Sequence, residues 1–308
     1  MKKKMTTSRH INPKEFHLTY GVHQGGYWLE PGEIISTYLP DAHGFDANNV
    51  RVAGLPNPLV GPFLVRGAKP GDTLIVNIRS LTPNRTTGFA CKNIHPNIQN
   101  PPLPLTFRRK EYVAWYVDPS EKVVRPNDSY FPNHEINLPL LPVLGCLGLA
   151  LNKDDFSSSN DCGMYGGNMD YPRITLGTTV YLPIFVEHAY LYIGDGHALQ
   201  GAGEITGNGI EVSFDIKFSV QLGKIDLSYP AGEDSHYLFT IGNEKSLEQS
   251  LRIATQEMTK WLINHYSFNQ DQVGILLGQL VNYEIGNFIS NVYSVACCFP
   301  KSFLFTRR

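Results

Sequence analysis

The 308-residue chain has no surplus of charge of either sign: 26 Lys and Arg stand against 28 Asp and Glu, a formal net charge of −2. That leaves no basic footprint for nucleic acid and no acidic tail for a cationic partner. No segment approaches the ~18 unbroken apolar residues of a membrane span. The lysine-rich start is followed by Thr6, Thr7, Ser8, Arg9 and His10, where a signal peptide needs an apolar stretch. The five cysteines are an odd number, form no CxxC pair, and include the neighbours Cys297 and Cys298, which are badly placed to bridge each other. These absences predict an unexported, cytoplasmic protein with reduced thiols serving as small core hydrophobes, and exclude nucleic acid and membranes as expected partners.

What is abundant is backbone punctuation, with 28 Gly and 21 Pro, and helical periodicity is missing before about residue 240. Glu30-Pro-Gly-Glu-Ile-Ile35 and Lys69-Pro-Gly-Asp-Thr-Leu-Ile-Val76 each place Pro and Gly at the centre of a type II turn ahead of a β-branched strand. Residues 174–186 read as another strand, and 210–222 alternate apolar and polar with period two, as a long half-buried strand does. The first three quarters therefore predict a β-sandwich or barrel-like body over 1–235. Leu247, Leu251, Ala254, Met258, Trp261 and Leu262 then recur at helical spacing behind a Ser246-x-x-Gln249 capping pattern. A second helix over 270–280 follows a possible Asn269 cap, and 292–299 returns to strand character, so 236–308 predict an α+β subdomain packed on the body. Residues 80–135 are rich in proline yet interleaved with Tyr112, Trp115, Tyr116, Tyr130 and Phe131, which predicts an ordered arm or lid pinned by its rings.

The stretch "GDGHALQGAGE" at 194–204 carries more than turn chemistry. Asp195 and His197, two apart in an extended chain, project from one face and can approach one cation, and the glycines let backbone come close to a ligand. Asp41-Ala-His43-Gly44 and Gly166-Gly-Asn-Met-Asp170 likewise set carboxylates beside glycine at strand ends. Each alone also reads as ordinary turn chemistry. Ser157–Ser159 and Cys162 lack the flanking residues of an activated nucleophile. His23, His95 and His134 read as surface or hydrogen-bonded loop histidines, and Glu135 as an exposed charge.

"GGNMD" at 166–170, "LGTTVYLPIFV" at 176–186, "GDGHALQGAGE" at 194–204 and "GIE" at 209–211, in that order, resemble the acetamidase/formamidase family, as do "NPLVGPFLVRGAKPGDTL" at 57–74 and "LEPGEIISTYLPDAHG" at 29–44. The resemblance implies a mainly β, jelly-roll-like β-sandwich body and hydrolysis of a small aliphatic amide such as formamide or acetamide to carboxylate and ammonia. It also implies a divalent metal and a homo-oligomer. Asp41, Asn168, Asp170, Asp195, His197, Gln200 and Glu204 fall on its recurring polar positions, and His17 where the family carries an N-terminal histidine. On this basis Asp41, Asp195 and His197 are the expected metal shell, with zinc first and calcium, magnesium or manganese tolerated. Glu204 is the expected proton shuttle, Asp170 with Asn168 orients water or substrate, and Gln200, Gly201 and His17 support the site. The chain departs from the family at Ala202, where members carry Asp, and in the 80–135 arm. A binding module with a structural ion, or a hydrolase of another C–N bond, is the alternative.

Overall fold

A computed structural model describes residues 7–100 and 111–304. The lysine-rich start and Pro101, Pro102 and Pro104 of the arm lie outside the described residues. At both Pro-Gly turns the glycine takes a positive φ, +92° at Gly32 and +84° at Gly71. The turns close through Glu33 N–H to Glu30 C=O and Asp72 N–H to Lys69 C=O, each 3.0 Å. Each launches a strand, Ile34–Leu39 and Thr73–Pro83. Of the stretch expected as one strand over 210–222, only the part from Phe214 forms it, as Phe214–Gly223, because Glu211 bridges to Phe89 and His197 instead. The strand pairs antiparallel with both Ile34–Leu39 and Thr73–Pro83. Phe214, Ile216, Phe218 and Val220 are buried, whereas Asp215 and Lys217 face solvent.

These strands sit in a nine-stranded sheet that runs Ser8–His10, Ile34–Leu39, Phe214–Gly223, Thr73–Pro83, Thr179–Pro183, Ala231–Glu233, Tyr237–Glu244, Tyr293–Pro300 and Asn282–Ile285. A six-stranded sheet lies against it, in the order Cys162–Gly163, Gly166–Asn168, Val143–Leu149, Leu191–His197, Leu59–Val65 and Tyr27–Leu29. Leu59–Val65, Val143–Leu149 and Leu191–His197 are buried at every residue, because this sheet is covered on both faces. Ile35, Phe63, Leu74, Leu147, Ile193 and Phe218 belong to the core between the sheets. The protein is therefore a mainly β sandwich with helices near its C-terminus, as expected. All five cysteines are buried and unbridged. No helix among the described residues is long and apolar enough to cross a membrane.

Further expectations change. The strand expected over 174–186 shortens to Thr179–Pro183, because Gly177 at φ +85° and a Thr178 hydroxyl bond to Arg173 C=O turn the preceding residues away. The boundary at 235/236 falls inside a hairpin, since Ala231–Glu233 pairs with Tyr237–Glu244 and the last strands carry the nine-stranded sheet onward. The C-terminal residues are thus a continuation of the body, to which helices Leu247–Tyr266 and Gln270–Leu280 are added. Ser246 and Asn269 cap these helices, and Gln272 rather than Gln249 completes a reciprocal capping box. The described part of the arm is a four-stranded sheet, Leu138–Pro139, Val123–Pro126, Tyr112–Asp118 and Thr87–Cys91.

Candidate functional site

Asp195 and His197 end the strand Leu191–His197, in the middle of the six-stranded sheet rather than in a loop. Asp170 follows the short strand Gly166–Asn168, Glu204 sits in the turn beyond His197, and Glu211 pairs through its backbone with both His197 and Phe89. These groups meet in one volume, and all five side chains are buried. Asp170, Asp195 and Glu204 have φ of +44°, +57° and +50°. A non-glycine residue in that region costs about 1–2 kcal/mol, so three such carboxylates in one cluster are strain held by the surrounding packing.

The orientation of His197 follows from its neighbour. Gln200 donates its amide N–H to Asp170 C=O at 2.6 Å, which turns its amide oxygen to His197 Nδ1 at 2.7 Å. Nδ1 therefore carries the proton, and Nε2 presents a lone pair. That lone pair faces Asp195 Oδ1 at 3.3 Å and Glu211 Oε1 at 3.2 Å. Three acceptors at such distances need a positive charge among them, either a proton or a metal ion. Asp170 Oδ1, Asp195 Oδ1, His197 Nε2 and Glu211 Oε2 are all buried without a hydrogen-bond partner. Two overlapping triads, Asp170/Asp195/His197 and His197/Glu204/Glu211, each hold their donor atoms within 4.8 Å of one another.

In the absence of a cation, protons take its place. Burial, reinforced by Asp195, raises the Asp170 carboxyl to about 6. Burial raises Glu211 to about 8, with His197 pulling it down and Asp195 pushing it up. Glu204 is driven well above its ordinary value by burial and then by Asp170. Burial favours the neutral imidazole of His197, but Glu211 and Asp195 outweigh it and raise the pKa well above normal.

A polar frame holds the carboxylates. Asn168 and Asn287 both donate to Asp170 Oδ2, at 2.5 and 2.7 Å, and Asn287 reaches Glu204 Oε2 at 3.4 Å. Asn57 spans Asn168 Oδ1 at 3.0 Å and Asp195 Oδ2 at 3.3 Å. Glycine makes the room: a Cβ on Gly145 would stand 2.5 Å from Asp170 Oδ1, and one on Gly209 would stand 2.5 Å from His197 Cγ. A cavity of about 450 Å³ opens onto Asn57, Asn168, Asp195, Glu204 and Glu211.

The expected residues Asn168, Asp170, Asp195, His197, Gln200 and Glu204 are thus brought together, and three others are not. Asp41 is committed elsewhere: its Oδ2 pairs with the buried Arg85 at 2.6 Å, and its Oδ1 accepts from His43 and Phe45 N–H, each 3.0 Å. It is absent from both triads, and Glu211 stands where a further carboxylate was expected. The His17 ring lies 4.2 Å from that of His23, tilted by 37°, and His17 does not line the cavity. Gly201 is exposed and contributes only a backbone carbonyl to the Glu204 turn. His95 and His43 do line the cavity, although the loop reading of His95 gave no hint of it. His134 and Glu135 are exposed. Sequence reasoning missed Glu211, Asn57 and Asn287. The signal for Glu211 was its place in "GIE", two residues after the glycine that makes room for His197.

Fold and site together define a class: a mainly β sandwich with one buried imidazole–carboxylate cluster at the floor of a cavity. Residues 162–290 match the model of the Acetamidase/Formamidase family. That segment contains every residue of the cluster. The chain is 28% identical to the acetamidase of Mycolicibacterium smegmatis over 233 residues, which are 58% of this chain and 57% of the relative. It is 48% identical to the formamidase of Methylophilus methylotrophus over 42 residues, 14% of this chain and 10% of the relative. It therefore spans little more than half of the first of these relatives and a tenth of the second. The crystal structure of an acetamidase from Yersinia enterocolitica superposes with a TM-score of 0.85 at 28% identity, covering 98% of this chain and 94% of that one. An acetamidase structure from Bacillus halodurans, at 22% identity and TM-score 0.81, covers 96% and 98% and shares the fold.

Proposed function

We propose that the protein hydrolyses a small primary carboxamide of the formamide or acetamide kind to carboxylate and ammonia, using a divalent cation held by His197 with Asp170, Asp195 and Glu211. The observation that supports this most directly is the set of orphaned acceptors on those four residues, buried in one volume behind a cavity. One imidazole with carboxylates suits zinc, and the oxygen excess also accommodates manganese, magnesium or calcium. When bound, such an ion supplies polarisation of the amide carbonyl and acidifies water.

The residues of the chain do the rest. Gln200 fixes the His197 tautomer, and Asn168 and Asn287 hold Asp170 in place. Glu204, buried beside the cavity, takes a proton from the attacking water and returns it to the amide nitrogen, so that the C–N bond breaks with ammonia as leaving group. Water supplies the oxygen of the new carboxylate. Asn57, bound to Asn168 and Asp195 and open to the cavity, orients the substrate.

Ammonia release from formamide and acetamide, with and without a chelator, tests this reading. Release abolished by chelator and restored by metal is expected. A chelator that lowers the melting temperature of a protein with no hydrolytic activity would instead make the ion structural and the protein a binding module. Light scattering checks the homo-oligomer that we also propose.

A further inference from the structure

The cavity is far larger than formamide or acetamide requires. Its volume of about 450 Å³ equals the space of about fifteen water molecules, of which such an amide displaces only about three or four. Beyond the carboxylate cluster, His43, Tyr112, Leu55, Pro56 and Ile289 supply aromatic and apolar surface among polar side chains that include Asp161, Asn208 and Ser290. Leu55 is 51% exposed and Tyr112 38% exposed, so both leave surface open for a ligand that enters the cavity.

The aromatic wall is rigidly built. The His43 ring stacks on Phe89 with centroids 4.3 Å apart and planes 23° from parallel. Tyr112 stands edge-on to both rings, at 5.1 and 5.3 Å, and its hydroxyl lies 3.3 Å from His43 Nε2. Backbone bonds from Phe89 N–H to Glu211 C=O and from Glu211 N–H to Phe89 C=O tie this corner to the catalytic floor. Asp41 fixes the turn that carries His43, and Arg85 locks Asp41. Asp41, expected to serve a metal, thus positions an aromatic surface.

We propose that this corner is the acyl subsite of the enzyme and that it selects a carboxamide bearing a flat aromatic ring, a benzamide-class substrate. The inference rests on the amide-hydrolase reading above. With the carboxamide over Asp195 and Glu204, a ring attached directly to the carbonyl packs between His43 and Tyr112 on one side and Leu55 on the other. Such ring contacts discriminate about three- to tenfold each against a ligand without a ring. The reaction remains hydrolysis, benzamide and water giving benzoate and ammonia.

The test measures kcat/KM for acetamide, hexanamide and benzamide on the metal-loaded protein, with benzamide binding followed separately by calorimetry. Benzamide is expected to exceed both aliphatic amides, and its advantage over acetamide is expected to fall three- to tenfold in Tyr112→Ala and in His43→Ala. If acetamide is hydrolysed while benzamide is neither hydrolysed nor bound, the subsite assignment is overturned and the hydrolase reading stands. Parity of hexanamide with benzamide, or an advantage unchanged in both variants, also overturns it. If no amide is hydrolysed but benzamide binds and Tyr112→Ala weakens it, the subsite holds and the hydrolase reading falls.

Discussion

Gly145→Ala probes the cluster without replacing any of its side chains. Gly145 lies in the strand Val143–Leu149, against the carboxylates. The added methyl would stand 2.5 Å from Asp170 Oδ1 and 2.8 Å from Asp195 Oδ2, against an ordinary contact of 3.4 Å. The first oxygen must then retreat by about 0.9 Å and the second by about 0.6 Å, in an interior packed too densely to absorb the shift freely. A displacement near 1 Å costs about 10²-fold in rate, whereas overpacking of one methyl costs about 1–3 kcal/mol of stability. The expected protein is folded, with ammonia release down by about 10² and bound metal reduced. Gly274→Ala is the control: no atom lies within 4 Å of its added Cβ, and on the helix Gln270–Leu280 it stabilises by about 0.5–1 kcal/mol. Melting curves, elemental analysis and the ammonia assay on both variants are sufficient. Wild-type turnover and metal content in Gly145→Ala would refute the placement of Asp170 and Asp195 at the reacting centre.

Gln200→Ala removes the acceptor that fixes His197 Nδ1, and a tenfold to hundredfold loss of metal affinity by titration calorimetry is expected. Arg85→Met leaves the Asp41 carboxylate buried and unpaired, a destabilisation of about 3–5 kcal/mol in urea unfolding. Asp41→Asn keeps full metal content by elemental analysis, and loss of the metal would reinstate Asp41 as a ligand. Away from the site, burial pushes the Glu284 carboxyl up, but hydrogen bonds from Arg173 and Tyr171 prevail and hold it below its ordinary 4.5. A carboxylate depressed in the folded state stabilises above its unfolded pKa and loses that contribution as pH falls through the folded value. The stability gap between wild type and Glu284→Gln is therefore expected to be full at pH 7 and to close below about pH 4.5. A gap that widens on acidification contradicts the ion pair.

How much the chain reveals by itself depends on how local the cause is. Pro31-Gly32 and Pro70-Gly71 turns, the alternation of 214–220 and the caps at Ser246 and Asn269 are short-range chemistry, and each is in place. Asp195 and His197 also meet as their spacing suggests, although Asp195 takes φ +57°, so the local backbone as well as strand alternation sets their approach. Everything brought in from a distance depended on the tertiary structure. Glu211 reads as one more polar residue of a half-buried strand until its bridge to His197 turns it inward. Asn287 belongs to a stretch that the sequence assigns to another subdomain, and reaches Asp170 only because the C-terminal strands continue the nine-stranded sheet. Asp41 has the neighbours of a ligand, yet Arg85, 44 residues away in sequence, is 2.6 Å from its carboxylate. Periodicity and turn residues act over a few residues, whereas the identity of a buried charge's partner is settled by packing, through desolvation that no local pattern encodes.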